Sequence, residues 1–87
     1  MYSFTFYKNS KKIFDKLDVK FQNQLIEKLK FLKTVDDIFI YLQKLKNMLP
    51  ATHRLRLWKM RVIFEQDKDN ENHFYVSKIW KRGDIYK

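Results

Sequence analysis

The chain of 87 residues contains no cysteine, one proline and one glycine. Without cysteine it can form neither a disulfide nor a thiolate metal site. Its apolar runs are far shorter than the ~18 residues that span a bilayer, so we expect no transmembrane helix and no membrane partner. The first lysines follow a short alternating run, which is not the layout of a signal peptide. We therefore expect a cytoplasmic protein.

The charge balance is strongly positive, because 19 Lys and Arg residues face 10 Asp and Glu residues and give a formal net charge of +9. Hydrophobic residues make up 45% of the chain and aromatic residues 17%, which indicates a globular protein. The length predicts a single domain over 1–87. A charge of this size favours a polyanionic partner: nucleic acid, an acidic protein or a membrane surface. Charge alone does not choose among them, since lysine is also the ordinary solvated surface residue.

Hydrophobic periodicity predicts an α+β domain, with helices on one face of a mainly antiparallel sheet and the other face open. The segment 34–50 fits either a third short helix or a partly extended stretch. The other elements are an N-terminal strand over 2–7, a helix after a cap at Asn9-Ser10, a second helix after a cap at Asp18, and three further strands, HRLRL, MRVIFE and HFYVSKIW.

Two arginines alternate with leucines in the first of these three strands. If Leu55 and Leu57 meet the helices, Arg54 and Arg56 lie on the open face. Arg61 begins the next strand across a short connection at Trp58-Lys59. Unpaired cations grouped in this way repel one another, and an anion among them removes the repulsion. An ordinary solvated hairpin, with Glu65 or Asp84 pairing some arginines, fits the same pattern.

The segments HRLRLWKMRVIFE and VSKIWKRGDIYK together resemble the signature of the RelE/ParE superfamily, the toxins of type II toxin–antitoxin modules. The pattern is a basic strand, a second strand opened by arginine, and a closing strand that ends in a basic pair and a D-V-Y-like tail. The resemblance covers essentially the whole chain and favours the RelE-like branch. The chain departs from the family at the turn, where Trp58-Lys59 replaces Gly-Asp, and Met60 replaces a tyrosine.

The resemblance implies the site residues. Those expected to be catalytic are Arg61, Arg82, Tyr86, Arg56, Arg54 and Lys81. Those expected to contact RNA are Arg54, Arg56, Lys59, His53 and Lys78. His53 and His73 are otherwise interpreted as surface residues, and neither belongs to a metal-ligand pattern. We expect no metal and no cofactor. The tryptophans Trp58 and Trp80 have the chemistry to stack on a base, although Trp80 also fits a place in the core.

The implied activity is metal-independent endoribonuclease cleavage of translated mRNA, which inhibits translation. The ribose 2′-OH attacks the adjacent phosphate, arginines stabilise the phosphorane, Tyr86 orients or deprotonates the 2′-OH, and Arg82 or Lys81 assists the leaving group. The ribosomal A site aligns the mRNA. The implied partners are the ribosome, mRNA and a small acidic antitoxin, with a monomeric free toxin and a heterotetrameric or larger complex. Two alternatives stay open, a ParE-type gyrase inhibitor and an inactive RNA-binding relative; Tyr86 favours the nuclease.

Overall fold

The computed structural model describes the backbone of residues 1–81 and the side chains of residues 1–80. One strand and two helices come first and the other four strands follow, which is the segregated order of an α+β domain and confirms the predicted fold class. The elements are β1 (Ser3–Phe6), α1 (Lys8–Lys16), α2 (Val19–Thr34), a 3-10 turn (Ile38–Ile40), β2 (Gln43–Lys44), β3 (His53–Leu57), β4 (Met60–Gln66) and β5 (His73–Lys81).

The strands form one sheet in the order β1-β5-β4-β3-β2. Strand β1 pairs in parallel with β5, and the other neighbours are antiparallel. The sheet has one strand more than the sequence predicted, because Gln43 and Lys44 pair with Arg54 and His53. The ambiguous segment 34–50 thus contains both a helical turn and a short extended stretch, which is why neither pattern dominated its sequence.

The first helix starts earlier than the sequence predicted. Its N-cap residue is Tyr7, so the expected cap at Asn9-Ser10 is wrong. Ser10 lies inside the helix, fully buried, and its hydroxyl donates to the carbonyl oxygens of Tyr7 and Val76. Asp18 does occupy the N-cap position of α2, as predicted.

One hydrophobic core joins the helical hairpin to one face of the sheet. The predicted stripe on α2 supplies the buried residues Leu25, Leu29 and Leu32. The sheet meets them with residues of a single parity on β3 and β4, which are Leu55, Leu57, Met60, Val62 and Phe64, and with Phe74, Val76 and Ile79 of β5. Each fully buried leucine or phenylalanine stabilises the fold by about 1.5–3 kcal/mol relative to an exposed one. The residues of opposite parity therefore lie on the face that the helices leave uncovered.

Among the residues that the structure describes, no helix has the length and apolarity needed to cross a membrane.

Candidate nucleic-acid interface

The β3–β4 hairpin places three arginines on the helix-free face of the sheet. Arg56 lies directly opposite Arg61, and Arg54 lies opposite Ile63. On the other side of β4, Trp80 pairs with Arg61 and Lys78 pairs with Ile63. Residues opposite one another in a sheet share a face. We call the surface formed by Arg54, Arg56, Arg61, Lys78 and Trp80 the cationic face.

Arg54 and Arg56 make no ion pair with a carboxylate of the described residues. Among residues 1–80 the ion pairs are Lys11–Asp15 at 2.6 Å and Lys30–Glu27 at 3.8 Å, both on the helices. Arg56 is exposed. Arg54 is half-buried, its Nη2 donates to Oε1 of Gln43, and its buried Nε has no hydrogen-bond partner in the described part of the chain. The contacts orient Arg54 without neutralising it.

Arg61 occupies the predicted position but is buried, with 7% of its surface exposed. Its Nη1 donates to the carbonyl oxygens of Trp58 at 3.0 Å and Met60 at 2.9 Å. The sequence did not predict these contacts, which fasten the guanidinium to the backbone of the β3–β4 turn. Since like charges directly opposite each other destabilise a sheet, Arg61 also adds repulsion to Arg56.

His53 lies in the core, so the expectation of a surface residue that contacts RNA is wrong. It is 5% exposed, and its ring lies 5.3 Å from Phe39 and 5.8 Å from Phe74. Its parity is that of Leu55, so the alternation already contained this signal. Burial, helped by the nearby charge of Lys44, lowers the pKa of His53 below its usual range. The imidazole is thereby held neutral.

Two carboxylates of the described residues, Glu65 and Asp67, lie at the other end of the helix-free face, beside Tyr7 and Tyr75. The hydroxyl of Tyr7 donates to Glu65 at 2.6 Å, and that of Tyr75 donates to Asp67 at 3.0 Å. The two tyrosine rings stack with centroids 5.2 Å apart. The bond to Glu65, with burial, raises the pKa of Tyr7 to about 12. Glu65 therefore bonds Tyr7 and makes no ion pair with the arginines, while Asp84, the other carboxylate of the charge-paired alternative, lies outside the described residues.

His73 belongs to the same end of the sheet. Its ring nitrogens are hydrogen-bonded to the hydroxyls of Ser3 at 2.6 Å and Thr5 at 2.9 Å, which are exposed residues of β1. Within the described residues, no group of three or more His, Asp or Glu side chains is placed to hold a metal ion. His73 thus links β5 to β1 through hydrogen bonds on the surface of the sheet.

The remaining predicted site residues divide into two sets. Lys59 and Lys78 are exposed, and the Lys78 ammonium lies 5.6 Å from the centroid of the Trp80 ring. Lys81 ends β5, where its backbone pairs with Met60. Arg82, Asp84 and Tyr86 lie outside the described residues. Trp80 was expected in the core or at an interface because it ends a strand, but the structure pairs it with Arg61 on the cationic face. An irregularity in the pairing of β4 with β5, at Ile63/Phe64, shifts the alternation of β5.

No protein-family model matches the sequence, and no curated protein matches it either. Several solved structures match over nearly the whole chain. The isolated RelE toxin of Escherichia coli is 22% identical, with a TM-score of 0.72 and coverage of 99% of this chain and 92% of RelE. A RelBE toxin–antitoxin complex from Mycobacterium tuberculosis gives 16% identity, a TM-score of 0.75, and coverage of 93% of this chain and 98% of the other. A RelB–RelE complex from Methanococcus jannaschii gives 15% identity, a TM-score of 0.71, and coverage of 94% of this chain and 94% of the other. The chain has the fold of the RelE toxins.

Proposed function

We propose that this protein is the toxin of a toxin–antitoxin module and that it cleaves translated mRNA as a metal-independent endoribonuclease. The fold shared with RelE toxins supports the first part of this proposal. The observation that carries the second part is the arrangement of Arg54, Arg56 and Arg61 on one sheet face, with no carboxylate in ion-pair contact with any of them among residues 1–80.

A phosphate group fits this arrangement because it removes the repulsion between Arg56 and Arg61 at the place where they face each other. Guanidinium groups bind phosphate oxygens through paired N–H donors, and such charge-assisted bonds are stronger than neutral ones. Arg56 is exposed and offers its whole guanidinium. Arg54 is held by Gln43 on the neighbouring strand, so it is oriented before the RNA arrives.

The chemistry that these residues favour is attack of a ribose 2′-OH on the neighbouring phosphate. Charge builds up on the phosphorane oxygens, and arginines at fixed positions stabilise it without reorganising. Arg61, anchored to the turn, holds the hairpin in place beside Arg56. We assign proton transfer to Tyr86, with Arg82 or Lys81 at the leaving 5′-oxygen, on the family resemblance.

Such a site works slowly alone, because the pKa of a tyrosine is ~10 and that of an arginine exceeds ~12, both far from neutrality. Alignment of the mRNA in the ribosomal A site supplies the positioning that the isolated protein lacks. We therefore infer that the cleavage depends on the ribosome and takes place in the cytoplasm.

The antitoxin that we propose is small and acidic, because the toxin carries a net charge of +9. The RelE-fold chains from M. jannaschii and M. tuberculosis were solved in complex with an antitoxin. We propose a monomeric free toxin and a heterotetrameric or larger complex.

Induced expression in a bacterial host tests the proposal. We expect the wild-type protein to stop protein synthesis and to leave mRNA cut inside reading frames. The double variant Arg54→Ala/Arg56→Ala should lose both effects. The matched control is Lys12→Ala/Lys16→Ala, which removes the same charge from exposed positions of α1 and should stay toxic. Filamentation and a DNA-damage response with intact mRNA would instead establish a gyrase inhibitor.

A further inference from the structure

The turn between β3 and β4 presents a tryptophan in an unusual backbone conformation. Trp58 has φ 56°, in the left-handed region, and 79% of its surface is exposed. A positive φ at the first of two turn residues suits glycine, which has no Cβ to clash. The other non-glycine residue with positive φ in the described chain is Asn47, whose side chain tolerates this region. A bulky aromatic at such a position is therefore costly for the fold and calls for a functional reason.

The turn is fixed on both sides of Trp58. Leu57 and Met60 pair directly across the hairpin, and the buried Arg61 donates to the carbonyl oxygens of Trp58 and Met60. The indole is 79% exposed and borders Phe31 and Lys28 of α2 across a shallow groove. The indole thus protrudes from a rigid support, which lowers the entropy lost when it binds a flat partner.

The charges around Trp58 are mainly positive. Arg56 and Lys59, both exposed, flank it along the chain. On the helix side a shallow groove separates the indole from α2, where Lys28 and Glu27 lie. Glu27 is already paired with Lys30 at 3.8 Å. The surroundings therefore favour a ligand that carries negative charge beside an aromatic plane.

We propose that Trp58 stacks on an unpaired base of single-stranded RNA whose adjoining phosphates lie against Arg56 and Lys59. This inference rests on the proposed function, since it adds a base contact at the turn end of the β3–β4 hairpin, next to the arginines of the proposed nucleic-acid site. Stacking on an aromatic side chain is tolerant of sequence, because each base offers a π-face. The indole would hold the strand in place while the arginines hold the phosphates.

An acidic protein partner fits the observations less well. The apolar surface next to Trp58 is limited to Phe31, which is 45% exposed, and Leu57, which is 9% exposed. A protein anchor normally enters a desolvated pocket surrounded by apolar contacts. A protruding ring among cations is the arrangement of a stacking platform.

The test measures the binding of RNA oligomers of about ten nucleotides, a length within the range of single-strand sites. The RNA carries 2′-O-methyl groups, so it cannot be cleaved by attack of the 2′-OH, and binding is separated from cleavage. A matched oligomer without bases has the same phosphates. The key variant is Trp58→Gly, which removes the ring and suits the positive φ, so the variant should be at least as resistant to urea as the wild type. Trp58→Phe keeps a ring, and Leu49→Ala removes a residue that is 84% exposed elsewhere.

We expect Trp58→Gly to bind the base-containing RNA at least about fivefold more weakly, the lower end for one stacked base. Its affinity for the oligomer without bases should be unchanged. Trp58→Phe should retain most of the affinity, and Leu49→Ala all of it. Equal affinity of wild type and Trp58→Gly for the base-containing RNA overturns the inference and leaves protein docking as the role of the tryptophan. If the wild type cleaves no mRNA yet shows this binding pattern, the proposed function fails and the base contact stands.

Discussion

Arg61 stabilises the β3–β4 turn, and this contribution to the free energy of unfolding can be measured separately from catalysis. Replacing it with alanine removes the two hydrogen bonds from Nη1 to the carbonyls of Trp58 and Met60. Hydrogen bonds to a charged donor contribute roughly 1.5–3 kcal/mol each. The loss of stability is smaller than the sum of two such bonds for two reasons. One nitrogen, Nη1, donates both hydrogen bonds, and the alanine variant does not have to bury a charged guanidinium. We therefore expect Arg61→Ala to lower the free energy of unfolding by about 2–3 kcal/mol.

The matched control is Arg56→Ala, across the hairpin from Arg61. Arg56 is exposed, so its removal should change stability by no more than about 0.5 kcal/mol. For a domain of this size, each kcal/mol shifts the melting temperature by about 4–8 °C. Arg61→Ala should thus melt about 8–24 °C below Arg56→Ala.

Urea denaturation followed by far-UV circular dichroism measures both variants under identical conditions. Equal unfolding midpoints for Arg61→Ala and Arg56→Ala would refute the reasoning, because the guanidinium would then not hold the turn. If the predicted difference is found, the activity of an Arg61 variant has to be divided by its folded fraction before a loss is assigned to catalysis.

Two further predictions concern buried polar groups. His53 titrates near pH 6.5 in the unfolded chain and at a lower pH in the folded one, so below pH 6.5 the unfolded state binds more protons and stability falls. His53→Phe should show a smaller loss of stability between pH 7 and pH 5 in parallel urea titrations, and an identical loss would contradict this. Ser10→Ala should cost only about 1 kcal/mol in the same assay, because the carbonyls of Tyr7 and Val76 keep backbone donors. A cost above about 3 kcal/mol would show that the hydroxyl is irreplaceable.

Alternation of residue types was enough to predict the hairpin and its two faces. Leu55 and Leu57 enter the core while Arg54 and Arg56 lie on the opposite face, as the period of a strand requires. The same rule, applied one step further back, places His53 in the core. The expectation that this histidine lies at the surface is wrong because a neutral imidazole can be buried beside Phe39 and Phe74.

Other features depend on partners that are distant in sequence. Ser10 was predicted to cap a helix, yet it hydrogen-bonds Val76 on a strand 66 positions away. Arg61 is a different case, because its partners Trp58 and Met60 are only three and one residues away, but its contacts form in a turn whose positive φ at Trp58 the residue type does not predict. The position of Trp80 depends on an irregular register at Ile63/Phe64. Local periodicity carries no information about such contacts.

The most direct test of the central claim is cleavage of a defined mRNA in a purified translation system, with and without ribosomes. We predict cuts within the translated frame by the wild-type protein when ribosomes are present, and little cleavage without them. Arg54→Ala/Arg56→Ala should cut at least about 100-fold more slowly, the usual effect of removing transition-state charge stabilisation. Lys12→Ala/Lys16→Ala has the same net charge as Arg54→Ala/Arg56→Ala and should keep the wild-type rate. An intact mRNA with the wild-type protein, or equal rates for the two double variants, would contradict the account.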